Sequence, residues 1–254
     1  MIREVAIERV EGDVRKPDVD RVVVEAPLQL RARGTPVATI MRTPGHDLEL
    51  VRGLLHAESI ITPQGSAGGL VQVDEDAVDA DVESSAFAAR GLLASAACGV
   101  CGRVAIADLE QRAREITADT SLAGAVLAQL PARLRAQQAV FAATGGLHGA
   151  ALASAVTGEI VCTREDVGRH NAVDKLVGWA LANQLAPAAH VLVLSGRAGY
   201  ELVQKAVMFG VPIVASVSAP SSLAVELAER FGVALAGFVR DGRFNLYSHA
   251  WRIR

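Results

Sequence analysis

The feature that most constrains the fold is a regular alternation of short apolar runs and amphipathic stretches in the last third of the chain. The apolar runs are bounded by glycine or proline, and the stretches between them have helical periodicity. The predicted elements are a strand at 190–196, a helix at 199–210, a strand at 211–218, a helix at 221–232 and a strand at 233–240. Strands that alternate with helices of this length form βαβ units around a largely parallel sheet.

Other elements are predicted upstream of this region. Residues 21–43 alternate like two strands around a turn at Gly34-Thr35-Pro36, and residues 149–166 have the pattern of a hairpin that turns at 157–159. Helices are predicted at 43–61, with Thr43 as cap and Pro44 in the first turn, at roughly 119–140, with a break near Pro131, and at 168–184, with one apolar face formed by Val173, Leu176, Val177 and Leu181.

These elements predict an α/β protein with a mixed, largely parallel sheet and flanking helices, plus a smaller N-terminal α+β part. Residues 1–20 are charged and mixed, which predicts a loose N-terminal arm. Residues 21–125 are assigned to the N-terminal α+β part, which carries a pair of cysteines. Residues 126–254 are assigned to the α/β domain and its ligand-binding loops.

Charge and hydropathy exclude two classes of partner. The net charge of the 254 residues is −3, so we expect no general attraction to nucleic acid. Two runs lack charge for 20 residues, 139–158 and 206–225, but they contain glycines or prolines, so we expect no membrane span. The first 18 residues carry charges throughout and no apolar core, unlike a secretory signal. We therefore expect a cytoplasmic protein.

Two of the three cysteines lie three positions apart in "SAACGVCGRVA", residues 95–105. Such a pair binds a metal, exchanges a disulfide or carries sulfur. A structural zinc site needs four ligands, usually from two such pairs, and the sequence has no second pair. Cys162 lies in an apolar run, where a buried, inert thiol is the ordinary outcome. A zinc deaminase needs an H-x-E motif before its cysteines, whereas His148 follows them and has no such glutamate. We therefore expect no metal site.

The surroundings of Cys98 and Cys101 favour a nucleophilic thiol. A thioredoxin-like pair follows a strand and usually has its own tryptophan and proline signature, which this segment lacks. Gly99 and Gly102 alternate with the cysteines and permit a wide range of backbone conformations. A neighbouring cation such as Arg103 favours the thiolate, the form that attacks sulfur. A reactive thiol beside a domain that binds a phosphate-bearing ligand is typical of a sulfur carrier.

Two loops of the predicted α/β domain are candidate phosphate sites. "SGRAGYE" (195–201) and "SVSAPSS" (216–222) each follow a predicted strand and precede a predicted helix. Ligands of open parallel sheets bind beyond the carboxyl ends of the strands, and N–H groups at helix starts bind phosphate. The alternative is that Ser195 and Ser218 only cap the helices. The candidate residues are Ser195, Gly196, Arg197 and Ser218.

Two further segments are dense in hydrogen-bonding side chains. "REDVGRHNAVDK" (164–175) leads into a predicted helix, and the alternative is a solvated helix end. "FVRDGRFNLYSH" (238–249) predicts a strand, a tight Asp-Gly turn and another strand. Arg240 and Arg243 flank that turn and could bracket a pyrophosphate or a guanine edge, or be exposed arginines of a plain hairpin. The candidates in the first segment are Arg169, His170, Asn171 and Lys175.

Six motifs in a consistent order, spread over roughly residues 20–250, resemble those of the FdhD family of sulfur carrier proteins, which formate dehydrogenases require. The motifs are "RTPGHDLELVRGLL", "CGVCG", "TGGLHGA", "REDVGRHNAVDK", "SGRAGYELVQK" and "SVSAPSSLAVELAERFGVALAGFVRDGRFNLY". Six spaced motifs together are far more specific than any one of them.

The resemblance implies a sulfurtransferase with a cytidine-deaminase-like α/β domain that lacks deaminase chemistry. Such a protein takes sulfur from a cysteine desulfurase as a persulfide. It passes that sulfur to molybdenum in the bis-molybdopterin guanine dinucleotide cofactor (Mo-bis-MGD), whose nucleotide part GDP or GMP mimics. Cys98 matches the persulfide-bearing cysteine and Cys101 its partner. The residues that match the guanine dinucleotide-binding segment are Phe238, Val239, Arg240, Asp241, Gly242 and Arg243.

Cysteine desulfurase and formate dehydrogenase are the expected partners, and we expect a homodimer. Two other functions fit parts of the pattern. A cofactor-binding chaperone would deliver the cofactor without transferring sulfur, and would keep that activity in a cysteine variant. A relative of zinc-dependent nucleoside deaminases would contain stoichiometric zinc.

Overall fold

The computed structural model describes residues 1–62, 68–89 and 109–254. Within these residues the strands form three sheets: a two-stranded N-terminal hairpin, a four-stranded N-terminal sheet and a six-stranded central sheet. The strands are β1 (Ile2–Glu11), β2 (Val14–Val23), β3 (Ala26–Ala32), β4 (Thr35–Arg42), β5 (Gly68–Asp74), β6 (Ala77–Asp81), β7 (His148–Ser154), β8 (Ile160–Asp166), β9 (His190–Leu194), β10 (Ile213–Ser216), β11 (Ala234–Arg240) and β12 (Arg243–Ser248).

The helices whose two ends both lie in the described residues pack on the N-terminal sheet and on the central sheet. They are α1 (Asp47–Ala57), α2 (Ser85–Ala89), α3 (Gly124–Leu127), α4 (Leu130–Gln137), α5 (Ala139–Thr144), α6 (Arg169–Ala182), α7 (Tyr200–Phe209) and α8 (Ser222–Arg230), with short 3₁₀ turns at Pro187–Ala189 and Ala250–Arg252. None of the helices in this described part of the chain has both the length and the apolar composition needed to cross a bilayer.

The expectation of a loose arm at residues 1–20 is wrong, because β1 and β2 pair along their whole length as an antiparallel hairpin. A two-residue connection, Gly12-Asp13, joins the strands, and Gly12 takes the positive φ of 61° that the tight turn needs. The strands carry charges on both faces and are linked by exposed ion pairs such as Arg15–Glu8. Charge on both faces hides the period-2 apolar pattern by which a half-buried strand is recognised.

The N-terminal sheet has the order β4-β3-β6-β5 and packs one face on α1. The turn between β3 and β4 is confirmed, although it lies at Arg33-Gly34, where both residues have positive φ. The predicted helix starts later than Thr43: the N-cap of α1 is His46 in a left-handed conformation, and Asp47 is its first residue. The apolar positions Leu50 and Leu55 are fully buried as the periodicity indicates.

The strands of the central sheet follow the order β12-β11-β10-β9-β7-β8. Only β9, β10 and β11 are paired in parallel, while β12 and the β7–β8 hairpin join them through antiparallel pairings. The sheet is therefore mixed, and its parallel part is smaller than the largely parallel sheet that the sequence predicts. Every helix and strand predicted between residues 190 and 240 is confirmed.

Both faces of the central sheet are covered, which makes it an α/β/α layer. Alternate residues of β9 point to opposite faces: Leu192 and Leu194 pack in the cluster beneath α6, α7 and α8. Val191 and Val193 pack on the other side, in the cluster that contains α3 and α4. Buried strands of this kind read as continuous apolar runs, as the sequence shows.

A close crossing of α1 and α6 joins the two sheets. A Cβ at Gly53 would lie 1.9 Å from the carbonyl oxygen of Asp174, and a Cβ at Gly178 would lie 1.9 Å from that of Glu49. Only glycine allows the two helix backbones to approach this closely. The helix α6 is consequently buried on almost all sides rather than along one apolar face, and Leu181 of the expected face is only partly buried.

The predicted break near Pro131 is confirmed: the helical stretch consists of the short helices α3 and α4, interrupted at 128–129, and Pro131 lies in the first turn of α4. The stretch starts later than predicted, at Gly124, and α5 follows it from Ala139. Leu109 and Leu122 already pack in the clusters of the central sheet. The boundaries 21–125 and 126–254 stay a prediction, as does the comparison of this sheet with cytidine deaminases.

Candidate functional site

A cavity of about 590 Å³ opens at the carboxyl edge of the parallel strands. Ser195 directly follows β9 and Val217 directly follows β10. Arg240 ends β11, Asp241 directly follows it, and all four residues line the cavity. This is the edge at which open α/β sheets bind ligands, beside the point where the strand order reverses between β9 and β7. The volume falls in the range of small-molecule sites.

The opposite wall comes from α4, α5 and the "TGG" turn that leads into β7. Arg135, Gln138 and Phe141 line the cavity from the helices, and Gly145 and His148 line it from the turn and the strand. The guanidinium of Arg135 lies 3.7 Å from the centroid of the Phe141 ring, a cation–π contact that orients both groups. The cavity therefore combines an aromatic face with guanidinium groups.

The β11–β12 turn shapes the rim of the cavity. Phe238 has a φ of 53°, unusual for a bulky residue, and its backbone N–H donates to the carbonyl of Ser218 at 3.2 Å. A register shift between Gly237 and Arg240 marks a β-bulge, which bends the strand here. The predicted tight turn is confirmed at Asp241 and Gly242, which have φ values of 53° and 75°. Strained backbone of this kind concentrates at binding sites.

Positive charge surrounds His148 at the end of the cavity nearest to α6. The pKa of His148 is lowered by burial and by the charges of Arg169, His170 and Arg197. Gly196 lies against the imidazole, because a Cβ there would be 3.4 Å from Nδ1. The guanidinium groups of Arg169 and Arg197 at this end favour an anionic ligand such as a phosphate.

His170, next to Arg169 in this group, has an acidic partner. His170 Nε2 lies 2.8 Å from Glu201 Oε2, and Glu201 is half-exposed in the first turn of α7. This pair lowers the pKa of the Glu201 carboxyl. It also fixes the His170 ring beside the start of α6.

Asn171 and Lys175 are not among the residues that line the cavity, and both have partners within the protein, while their predicted ligand-binding role stays a prediction. The Lys175 ammonium is 1% exposed, lies 2.7 Å from Asp166 Oδ2 and donates to the Thr43 carbonyl at 2.7 Å. The Asn171 amide donates to Asp166 Oδ1 and to the Met41 carbonyl. A buried ammonium must be paired and hydrogen-bonded, and these partners provide that pairing.

The Asp166 carboxylate is the centre of this arrangement. Besides Asn171 and Lys175, the backbone N–H groups of Thr43 and Gly168 donate to it. Gly168 is the N-cap of α6, so the carboxylate fixes the start of the helix that carries Arg169 and His170. Its role is to hold the N-terminal sheet, β8 and α6 together.

The remaining predicted site residues have simple placements. Ser195 accepts a hydrogen bond from the Gly149 N–H and does not cap α7, whose N-cap is Gly199. Ser218 does not cap α8, because Ser221 does. Gly242 and Arg243 are exposed at the turn beside the rim. Phe238 and Val239 belong to β11, and Val239 lines the cavity. A ligand-binding role of these residues stays a prediction.

Of the three cysteines, Cys162 alone lies within the described residues; Cys98 and Cys101 lie outside them, so their predicted roles stay predictions. Cys162 is buried, as expected, and burial raises the pKa of its thiol to about 11. Such a thiol is protonated at neutral pH and is a poor nucleophile.

Sequence reasoning did not single out Arg135, Gln138 and Phe141 as site residues. They lie in a helical stretch whose pattern shows no functional signal, and they reach the site only through the packing of α4 and α5 on the sheet. The motif "TGGLHGA" could have pointed to this wall of the cavity, because its residues Gly145, Gly146 and His148 line the cavity beside Arg135, Gln138 and Phe141.

Fold and site together define a mixed α/β protein with a basic, partly aromatic cavity at the carboxyl edge of a central sheet. The model of the FdhD/NarQ family matches residues 23–254. The chain therefore belongs to the FdhD/NarQ family.

Curated relatives cover nearly the whole chain. A protein named sulfur carrier protein FdhD from Nocardia farcinica is 46% identical over 96% of this chain and 91% of its own length. One of the same name from Sulfolobus acidocaldarius is 40% identical over 99% of this chain and 98% of its own. The crystal structure of a formate dehydrogenase accessory protein from Desulfotalea psychrophila superposes with a TM-score of 0.82 at 23% identity, over 100% of this chain and 99% of that one, which shows a shared fold.

Proposed function

We propose that this protein is a cytoplasmic sulfur carrier that matures the Mo-bis-MGD cofactor of a formate dehydrogenase. Family membership and the names of its relatives support the sulfur carrier role. The observation that carries the rest is the cavity at the carboxyl edge of the central sheet, because Arg240 and Asp241 of the expected guanine-binding segment form its wall.

Sulfur is proposed to enter at Cys98. Its thiolate attacks the outer sulfur of a persulfide on a cysteine desulfurase, which forms the Cys98 persulfide and releases the desulfurase cysteine as a thiolate. The outer sulfur then takes two electrons from the reduced metal of the client cofactor and stays on it as a sulfido ligand. Cys98 leaves as a thiolate, and Cys101 is positioned in sequence to relay or resolve the persulfide.

The nucleotide part of the client is proposed to bind in the cavity. Arg135 and Arg240 supply guanidinium donors for phosphate or for a guanine edge, and Phe141 supplies an aromatic face. The guanidinium groups of Arg169 and Arg197 near His148 extend the positive potential towards α6. A pyrophosphate fits such a surface because the guanidinium groups balance its negative charge.

Three finer expectations belong to the same proposal. The physiological partners are a cysteine desulfurase and formate dehydrogenase, the protein acts as a homodimer, and the central sheet is related to that of cytidine deaminases without sharing their chemistry. A chaperone that only shields the cofactor is the second candidate, favoured by the size of the cavity alone.

Calorimetry with GDP and ADP tests the binding half of the proposal. We expect GDP to bind more tightly, and Arg240→Ala to weaken GDP binding by about 1–3 kcal/mol because a charged hydrogen bond is lost. Arg230→Ala is the matched control, since this exposed arginine pairs with Glu110 and does not line the cavity, and it should leave GDP binding unchanged. Equal affinities for GDP and ADP would contradict the proposal.

Reconstitution separates the carrier from the chaperone. Apo formate dehydrogenase is incubated with cofactor, desulfurase, cysteine and either the wild-type protein or Cys98→Ser. A carrier loses activation in the variant while it still binds GDP. A chaperone would still activate formate dehydrogenase as the Cys98→Ser variant, and that outcome would contradict the proposed sulfur transfer.

A further inference from the structure

The lining of the cavity changes in character from the helices to the sheet edge. Where α3 ends and α4 begins, the lining is apolar and consists of Ala128, Pro131, Ala132 and Leu134. At the sheet edge, His148 of β7 and Ser195 after β9 contribute an imidazole and a hydroxyl. A ligand with a planar, weakly polar part and a charged part therefore fits these two ends in one direction.

A flat surface adjoins the apolar end. Arg135 and Phe141 both line the cavity, and the Arg135 guanidinium lies over the Phe141 ring with its carbon 3.7 Å from the ring centroid. Nucleotide bases stack on aromatic rings and on guanidinium planes. Such stacking is independent of which base is bound, because every base has a π face. The Arg135–Phe141 pair is thus a platform for a base.

Strand β8 holds this platform in place. The Glu165 carboxylate accepts hydrogen bonds from the Val140 and Phe141 N–H groups at 3.1 and 2.8 Å. These are N–H groups of the first turn of α5, which have no acceptor within the helix. Thr163 of the same strand donates from its hydroxyl to Gln137 Oε1 at 2.8 Å. The two strand residues therefore fix the junction of α4 and α5, and with it the position of the ring.

The sheet-edge end is cationic. His148 is paired in the sheet with Asp166, whose carboxylate accepts a hydrogen bond from the N-cap residue of α6, and Arg169 is the first residue of that helix. On the other side, a Cβ at Gly196 would lie 3.4 Å from His148 Nδ1, so Arg197 follows directly after a residue that contacts the imidazole. Within the described part of the chain, neither Arg169 nor Arg197 forms an ion pair. Two guanidinium groups without carboxylate partners favour a phosphate here.

We propose that a nucleotide binds in one direction, with its base stacked on the Arg135–Phe141 platform and its phosphates at the end formed by Arg169 and Arg197. This inference rests on the proposed binding of a guanine nucleotide and adds the direction of the ligand. The group attached to the outer phosphate of a dinucleotide therefore leaves the cavity on the side of α6. Glu165 acts through the start of α5 and is a positioning residue.

Titration calorimetry with GDP and guanosine separates the two ends, because guanosine lacks the phosphates. Arg197→Ala should lower the affinity for GDP about tenfold through the loss of a charged hydrogen bond, and leave the affinity for guanosine unchanged. Phe141→Leu should lower the affinities for GDP and guanosine by the same factor, about tenfold, because stacking is lost. It should also keep the wild-type ratio of GDP to ADP affinity. The control is Arg230→Ala, an exposed arginine outside the lining, which should change neither affinity.

Two variants of Glu165 test the positioning role. Glu165→Ala removes the acceptor for the Val140 and Phe141 N–H groups, so it should lower the affinity for guanosine as Phe141→Leu does. Glu165→Gln keeps a carbonyl oxygen in this place and should restore most of that affinity. A folded Glu165→Ala protein that binds guanosine like the wild type would contradict the role.

The results distinguish the direction of binding from the proposed function. If the wild type binds no GDP, the function and the direction fail together. If the wild type prefers GDP but Arg197→Ala weakens guanosine as much as GDP, the direction is wrong while the proposed function stands. The same holds if Phe141→Leu weakens GDP but not guanosine, or if both variants bind like the wild type. Should Phe141→Leu fail to fold, the comparison of GDP with guanosine in Arg197→Ala decides.

Discussion

The bridge between Glu49 of α1 and Arg164 of β8 allows a quantitative prediction. Arg164 donates to both carboxylate oxygens, at 2.6 and 2.9 Å, and the two side chains are only 19% and 14% exposed. Burial alone would raise the pKa of Glu49, but the hydrogen bonds from Arg164 and His46 outweigh it and lower the pKa from 4.5 to about 2. At 1.36 kcal/mol per pH unit, this difference corresponds to about 3 kcal/mol of stability at neutral pH.

The pH dependence follows from the sign of this change. Because the folded-state pKa lies below the unfolded one, the unfolded chain binds the proton more readily between about pH 2 and pH 4.5. The contribution is fully present above pH 4.5 and is lost as the pH falls towards 2. The stability difference between wild type and Glu49→Gln should therefore shrink by about 1.4 kcal/mol for each pH unit below 4.5.

Urea unfolding followed by tryptophan fluorescence measures this difference, because Trp179 lies 5.9 Å from the Arg164 guanidinium. The control is Glu8→Gln, which removes an exposed ion pair with Arg15 and should have little effect. A Glu49→Gln protein as stable as the control at pH 7 would refute the reasoning. So would a stability difference that stays constant from pH 7 to pH 3.

Three further predictions concern buried groups. Lys175→Met leaves the Asp166 carboxylate without its buried cation and should lower the free energy of unfolding in urea by about 3–5 kcal/mol; a loss below 1 kcal/mol would contradict this role. Gly178→Ala forces a Cβ to within 1.9 Å of the Glu49 carbonyl, so the helices must separate and circular dichroism should show a large drop in the melting temperature; an unchanged melt would contradict the close crossing. Cys162 should resist alkylation at pH 8 until the protein is unfolded, because its thiol pKa is about 11, and rapid native labelling in peptide mass mapping would contradict that burial.

The βαβ region could be predicted from sequence because its strands are buried on both faces. Continuous apolar runs such as 190–194, ended by glycine or serine, leave few alternatives to a central strand. The Asp241-Gly242 turn was predictable for a similar reason, since both residues tolerate the positive φ that the turn imposes. The N-terminal hairpin was missed because ion pairs between its strands, rather than an apolar face, link them.

The candidate site was predicted in part. Arg240 and Ser195 were predictable because they follow apolar strands whose carboxyl ends meet at one edge. The buried pairing of Lys175 with Asp166 could not be predicted from the sequence. It depends on the contact between Asp166 and Thr43, two residues that are 123 positions apart in the chain. The buried amide of Gln138, unpaired among the described residues, could not be predicted either, because polarity and helical periodicity do not reveal which glutamine is buried.

Mass spectrometry of the intact protein tests the central claim most directly. The protein is incubated with a cysteine desulfurase and cysteine, and its mass is compared with that of Cys98→Ser and Cys162→Ser. A sulfur carrier should gain about 32 Da, removable by reductant, in the wild type and in Cys162→Ser but not in Cys98→Ser. Equal loading of all three proteins, or no loading of the wild type, would contradict the proposed function.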